Sequence, residues 1–154
     1  MAYYQDNYAQ IYREEKPAAV SPLMAFLLNY QIKTNCLVSH IRKATQGNVN
    51  LKNTQPFARE CNGSRHVMVH NGDLQNFKKS CLFNRYHPIG ETDSENAFCT
   101  LMDDMFNIWQ NNEPTLAQRI SVFGARLTQW CKLGTANIIY SDSEYLYLFA
   151  NRRT

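Results

Sequence analysis

A chain of 154 residues is long enough for one globular domain and too short for two comfortable ones. Hydrophobic residues make up 44% of it, which excludes wholesale disorder and lets a core form without staples. Lys and Arg number 16 against 13 Asp and Glu, and the net charge of +3 gathers into no basic stripe, so a nucleic-acid surface is not expected.

The five cysteines, Cys36, Cys61, Cys81, Cys99 and Cys131, are odd in number and scattered. They suggest neither a disulfide framework nor a zinc ribbon, and they fit a reducing, cytoplasmic compartment. The longest apolar run, Leu23 to Leu28, falls far short of the ~20 residues that cross a bilayer. The first residues carry no apolar signal-peptide segment, so a soluble, non-exported protein without a membrane partner is expected.

In chain order, Ala2 to Tyr12 reads as a hairpin turning at Asp6-Asn7. Ser21-Pro22 starts a helix with Leu23, Phe26, Leu27 and Tyr30 on one face, Ser as N-cap and Pro at the first helical position. Asn35 to Ile41 is a short strand, and the polar stretch from Gln46 to Arg65 is a long loop. His66 to His70 alternates as a strand that Asn71-Gly72 breaks, after which Asp73 caps a helix bearing Leu74, Phe77, Cys81 and Leu82. Thr92 and Glu95 have capping-box spacing ahead of the clearest helix, with Phe98, Leu101, Met102, Met105, Phe106 and Trp109 at steps of three and four. Another long helix follows Pro114, carrying Leu116, Ile120, Phe123, Leu127 and Trp130, and Gly134 is its expected C′ residue. Asn137 to Tyr140 and Tyr145 to Ala150 close the chain as a hairpin whose last strand, apolar on both faces, should be covered on both. The fold class is α+β: antiparallel sheets with helices packed on them, in one domain spanning 1–154.

Four polar clusters interrupt the apolar pattern. His40 to Gly47 puts Arg42 at a strand end, where a guanidinium either pairs on the surface or grips a carboxylate with two parallel N–H bonds. Asn53 to Phe57 reads by itself as a turn around Pro56. At His70-Asn71-Gly72-Asp73, a plain turn competes with a functional one: the Asn71 amide and a closely approachable Gly72 N–H make two donors for an oxyanion. In Gly90 to Glu95, capping accounts for Thr92 and Glu95, and the helix dipole favours Asp93; a functional Asp93 would bind a cation such as a substrate ammonium. No metal is expected, because His66 and His70, four apart on a strand, stand about 13 Å from each other. The sequence has no Gly-rich phosphate loop, and no cofactor is expected.

Taken together and in this order, the clusters resemble the class II glutamine amidotransferase domain of the N-terminal-nucleophile (Ntn) hydrolases, in its stand-alone bacterial branch. The likeness rests on His40 to Gly47, Asn53 to Phe57, His70 to Gly72 and Gly90 to Glu95, with Asn137 to Phe149 and its Ser141-Asp142 fitting as well. It implies a partial αββα sandwich with helices on the outer faces and a small-molecule substrate, glutamine or a γ-glutamyl amide. It also implies roles: Arg42 for the α-carboxylate, Asp93 for the α-ammonium, Asn71 and the Gly72 N–H for the oxyanion, and Thr45 lining the pocket.

Two departures stand out. Gln55 occupies a position where the family often has His, keeping a hydrogen bond but not a charge. The family nucleophile is an N-terminal Cys whose own amine is the base, whereas here Met1 is followed by Ala2. The resemblance therefore implies a domain cut at both ends and inactive as an amidohydrolase, whose exposed sheet edges would pair with a second copy or a missing complementary segment. The alternative is a non-catalytic glutamine-binding or regulatory module.

Overall fold

The computed structural model describes residues 1–43, 48–75, 77, 82–110 and 112–151. Strands β1 (Ala2–Gln5) and β2 (Tyr8–Ile11) form the expected hairpin. Its turn residues Asp6 and Asn7 both take left-handed φ, 50° and 62°, a twist that suits a two-residue hairpin loop. Helix α1 (Pro22–Asn29) starts as expected, with Ser21 Oγ accepting from the Met24 N–H at 2.8 Å. Its anticipated apolar face is only partly used: Leu27 is buried, while Phe26 and Tyr30 are exposed. The expected strand of 35–41 shortens to β3 (Leu37–Val38), paired with β1.

The stretch from Gln46 to Arg65 is not one loop. Past a short 3-10 turn at Leu51–Asn53 it contains β4 (Phe57–Cys61), which turns back at Asn62-Gly63 into β5 (Ser64–Leu74). Asn62 and Gly63 have φ of 51° and 84°, the backbone that an Asn-Gly hairpin turn requires. A second correction concerns Asn71-Gly72, which does not break its strand. Asn71, Gly72, Asp73 and Leu74 all pair with β6 (Gly134–Ser141), so no helix starts at Asp73. Phe77 is buried in the core, Leu82 is exposed and not helical, and Cys81 lies outside the described residues.

Helices α2 (Asp93–Trp109) and α3 (Leu116–Trp130) fall where the apolar periodicity puts them. The α3 helix ends at Trp130, and Gly134 is the first residue of β6 instead of a C′ residue. Strand β7 (Leu146–Ala150) pairs with β6 and is an outer strand; Leu146 and Leu148 are exposed, so only one of its faces is covered.

The strands form two antiparallel sheets, ordered β2-β1-β3 and β4-β5-β6-β7. One face of the larger sheet packs on α2 and α3 through Phe57, Met68, Phe98, Met102, Trp130 and Tyr140. Its other face meets the smaller sheet at Ala2, Ala9 and Val67, where small side chains allow close approach. The two-sheet α+β architecture anticipated from the sequence is the one found, and among the described residues no helix is long and apolar enough to cross a membrane.

His66 is fully buried in this core, edge-on to Trp109, with Nδ1 2.6 Å from the Tyr140 hydroxyl. Burial, with Arg119 adding to it against an opposing Asp142, pushes the imidazole down to about 4 from 6.5. Between those values the unfolded chain binds a proton that the folded chain refuses. Stability should therefore be complete above about pH 6.5 and fall as pH drops toward 4, by about 3 kcal/mol in all. Urea midpoints across that interval test this; His66→Gln should flatten the dependence, and an equally steep variant would assign the loss to other groups.

Candidate active site

The site is built on an edge of β5 that β4 leaves uncovered. Strand β4 stops at Phe57, opposite Met68. Past that point side chains take over. The His70 N–H donates to Gln55 Oε1 at 2.7 Å, and Gln55 Nε2 donates back to the His70 carbonyl at 3.0 Å. Two turns of the pleat further on, the Leu74 N–H donates to Asp93 Oδ2 at 2.8 Å. Main-chain groups of successive strand residues point to opposite neighbours, so the Gly72 N–H, midway between these two, faces the same open edge. Among the described residues no side chain accepts from it. At about 3.4 Å per residue, it sits roughly 7 Å from each flanking N–H.

Gly72 also has a steric reason to be glycine: a Cβ there would collide with the Thr135 carbonyl oxygen and come within 2.6 Å of His70 Nε2. Asn71, one residue earlier, pairs with Asn137 of β6, and its exposed side chain lines a groove with Ser39, His40, Ile41 and Leu148.

Asp93 is buried at the start of α2, where Oδ1 accepts from the Ser94 N–H at 2.8 Å. Ser94 Oγ stands 2.9 Å from His70 Nδ1, and His70 Nε2 stands 3.1 Å from the Thr135 carbonyl. A carbonyl only accepts, so Nε2 carries a ring proton, and the Ser94 hydroxyl also stands 3.3 Å from Asp93 Oδ1. His70 thus joins the Asn71-Gly72 strand to the Asp93 helix.

Glu95 anchors the same helix start, but only half as a capping box. Its N–H donates to Thr92 Oγ1 at 3.2 Å, while its carboxylate turns away from the cap. Glu95 Oε1 accepts from Arg59 Nη2 at 2.6 Å and the Ile89 N–H at 3.1 Å, and Oε2 accepts from the Gly90 N–H at 2.6 Å. Asn53, fully buried, accepts from the Glu91 N–H at 2.8 Å and so ties the second polar cluster to the fourth. A Cβ at Gly90 would strike Asn53 Oδ1 and lie 2.7 Å from the Lys52 carbonyl oxygen.

Arg42 lines a cavity of about 360 Å³ together with Tyr12, Leu27, His40, Thr54 and Gln55. Its Nη1 donates to the Asn48 carbonyl at 3.3 Å. The cavity and the Asn71 groove meet at His40 and Ile41, which line both. His40 Nδ1 is buried with no hydrogen-bond partner among the described residues, and burial, with His70 next, lowers its pKa. Gln55 is therefore common to the Arg42 cavity and the β5 edge, and Asp93 closes the far end of that edge without lining the cavity. Thr45 lies outside the described residues.

Among the described residues no cysteine lines either concavity. Cys99 is buried beside Arg59, and burial drives its thiol up to about 11, away from thiolate chemistry. No group of His, Cys, Asp and Glu among the described residues is arranged to hold a metal ion.

Sequence reasoning missed the part Gln55 plays, because an amide pairing with the main chain of a residue fifteen positions away leaves no local pattern. It also missed Arg59, whose partner Glu95 was fully accounted for by the cap. The findable signal was Asn62-Gly63, which marks β4 and so places Arg59 on a strand.

Residues 1–154 match the sequence profile of the family described as "Glutamine amidotransferases class-II". The chain is similar to the Haemophilus influenzae protein named "Putative glutamine amidotransferase", 36% identical over 95% of this chain and 49% of that protein. It is similar also to the Escherichia coli protein named "Putative glutamine amidotransferase YafJ", 30% identical over 98% of this chain and 59% of that one. A 2.0 Å crystal structure of a "predicted glutamine amidotransferase" from Pseudomonas aeruginosa superposes with a TM-score of 0.73 at 26% identity, covering 97% of this chain and 58% of that chain. The chain thus spans about half the length of the curated relatives it matches.

Proposed function

Because the chain belongs to the class II glutamine amidotransferase family, we propose that its site reads glutamine or a γ-glutamyl compound by the side-chain amide. Arg42 takes the α-carboxylate as a two-pronged donor, and Asp93 takes the α-ammonium. The Asn71 amide and the Gly72 N–H hold the oxygen that gains charge when the amide carbon becomes tetrahedral. The observation that carries this reading is the pair of side chains that flank Gly72 on β5, Gln55 on the His70 N–H and Asp93 on the Leu74 N–H.

The reaction of such a site has simple requirements. A thiolate adds to the amide carbon, the C–N bond breaks as the leaving nitrogen takes a proton, and ammonia departs from a γ-glutamyl thioester. Water then adds to the thioester carbon and releases glutamate and the thiol. The thiol has to sit beside its own base, and the family's N-terminal Cys provides both. Cys99, buried beside Arg59 with its thiol pushed up to about 11, does not meet that requirement.

Isothermal titration with glutamine tests the reading. Arg42→Met should weaken binding on the order of tenfold to a hundredfold, the loss of a charged hydrogen-bonded partner. Asp93→Asn keeps an acceptor for the Leu74 N–H but removes the charge, so it should weaken glutamine far more than glutarate monoamide, which has no ammonium. Equal effects on both ligands would remove Asp93 from its role.

A further inference from the structure

We propose that Gln55 is a positioning residue for the candidate oxyanion hole, its side-chain amide standing in for a strand that β4 does not supply. The inference rests on the glutamine reading for its consequence and on geometry for its mechanism.

In the register where Phe57 faces Met68, position 55 falls opposite His70. An uninterrupted strand would offer His70 one main-chain acceptor and one main-chain donor there. The β4 ladder ends at Phe57, so no main-chain pair from β4 stands there. Gln55 offers the same pair from its side chain, at 2.7 Å to the His70 N–H and 3.0 Å to the His70 carbonyl. A primary amide carries its carbonyl and N–H₂ on one planar group, so it substitutes for a peptide unit; a carboxylate, which only accepts, cannot.

The consequence reaches both halves of the site. Asn71 follows His70 directly and Gly72 follows next, so the direction of the two oxyanion donors is set by the clamped His70 peptide. The His70 ring, held between Ser94 Oγ and the Thr135 carbonyl, passes the same constraint to the residue beside Asp93. With Gln55 buried, water does not replace the amide when it is removed. The side chain also lines the Arg42 cavity, so it borders the space the ligand would fill.

Gln55→Glu tests this. The carboxylate keeps the acceptor for the His70 N–H, loses the donor, and sets a negative charge against the His70 carbonyl. Protonation restores a donor in nearly the same shape, and burial raises the pH at which a carboxyl protonates. The experiment follows the Asn71 side-chain and Gly72 main-chain amide resonances of the ¹⁵N-labelled 154-residue chain, with glutamine affinity alongside. In Gln55→Glu, both resonances should leave their wild-type positions at neutral pH and return on acidification. Glutamine affinity should fall at least tenfold and recover over the same pH range, while the wild type shows neither change.

Gln55→Met is the second arm, for use if the first variant does not fold. Its side chain offers His70 neither the donor nor the acceptor, so Gly72 should shift and glutamine should weaken without pH recovery. Undisturbed Asn71 and Gly72 resonances in the variants would overturn the proposal. So would a perturbation spread evenly over β5, β6 and β7, the mark of a merely structural role. Failure of the substrate reading looks different: the wild type would bind no glutamine, while Gln55→Glu would still move Gly72 reversibly with pH.

Discussion

Asp142→Ala should lower the stability of this domain by about 3–5 kcal/mol, the cost of leaving a buried charge without its partner. Arg119 is 3% exposed and Asp142 1% exposed. The Arg119 guanidinium donates to Asp142 Oδ2 at 3.2 Å, Glu144 Oε2 at 2.8 Å, Glu113 Oε1 at 3.0 Å and the Pro114 carbonyl at 3.0 Å. It also lies over the Trp109 ring, 4.6 Å from the centroid. Asp142 accepts from the Tyr147 hydroxyl at 2.8 Å and the Tyr145 N–H at 2.8 Å, so it organises the β6–β7 turn as well as the ion pair. Glu113 and Glu144 are largely exposed and screened by solvent, so they cannot replace it. Urea denaturation with the slope held constant is the measurement. The double variant Arg119→Met, Asp142→Leu should recover part of the loss, because no charge is then stranded. A single variant within about 1 kcal/mol of wild type would mean that the two glutamates carry the pairing.

The second large effect is expected at Glu95. Its carboxylate is 2% exposed and accepts from Arg59 and from two consecutive main-chain N–H groups, Ile89 and Gly90. Glu95→Ala leaves the Ile89 and Gly90 N–H groups unpaired beside a helix start and strips Arg59 of its carboxylate, leaving it the Ala58 and His87 carbonyls, for a loss of about 3–5 kcal/mol. Arg59→Met should cost clearly less, because the carboxylate keeps both main-chain donors and the Arg59 side chain is 17% exposed. The asymmetry is the test: equal losses would make the ion pair itself, not the carboxylate, the organising element. Because Asp93 is two residues away, Glu95→Ala should also weaken glutamine binding in the fraction that remains folded.

How far the site was legible follows the range of the interactions. The segment from Thr92 to Trp109 could be read from the sequence, because an N-cap and a 3.6-residue period are local. The placement of Arg42 beside a cavity, and of Asn71-Gly72 near Asp93, was legible only through the resemblance of four separated motifs. No spacing within any one of them brings it next to another. Gln55 read as the neighbour of a turn proline; its buried pairing with His70 exists only because β4 ends where it does.

The dipeptide Asn-Gly draws the boundary most clearly. At Asn62-Gly63 it is the hairpin turn that its chemistry favours, and at Asn71-Gly72 it is extended backbone inside an eleven-residue strand. The sequence alone determined the hairpin of Ala2 to Ile11, the Ser21 and Thr92 caps and the two long helices. Tertiary structure decided that the second Asn-Gly stays in a sheet, because β6 offers it a continuous ladder and Gly72 alone fits beside the Thr135 carbonyl. Tertiary structure also decided that Glu95 leaves its cap for Arg59, and that Arg119 is buried beside Asp142. Each of these outcomes depends on partners far away in the chain, and a local pattern carries no information about which distant donor or acceptor will arrive.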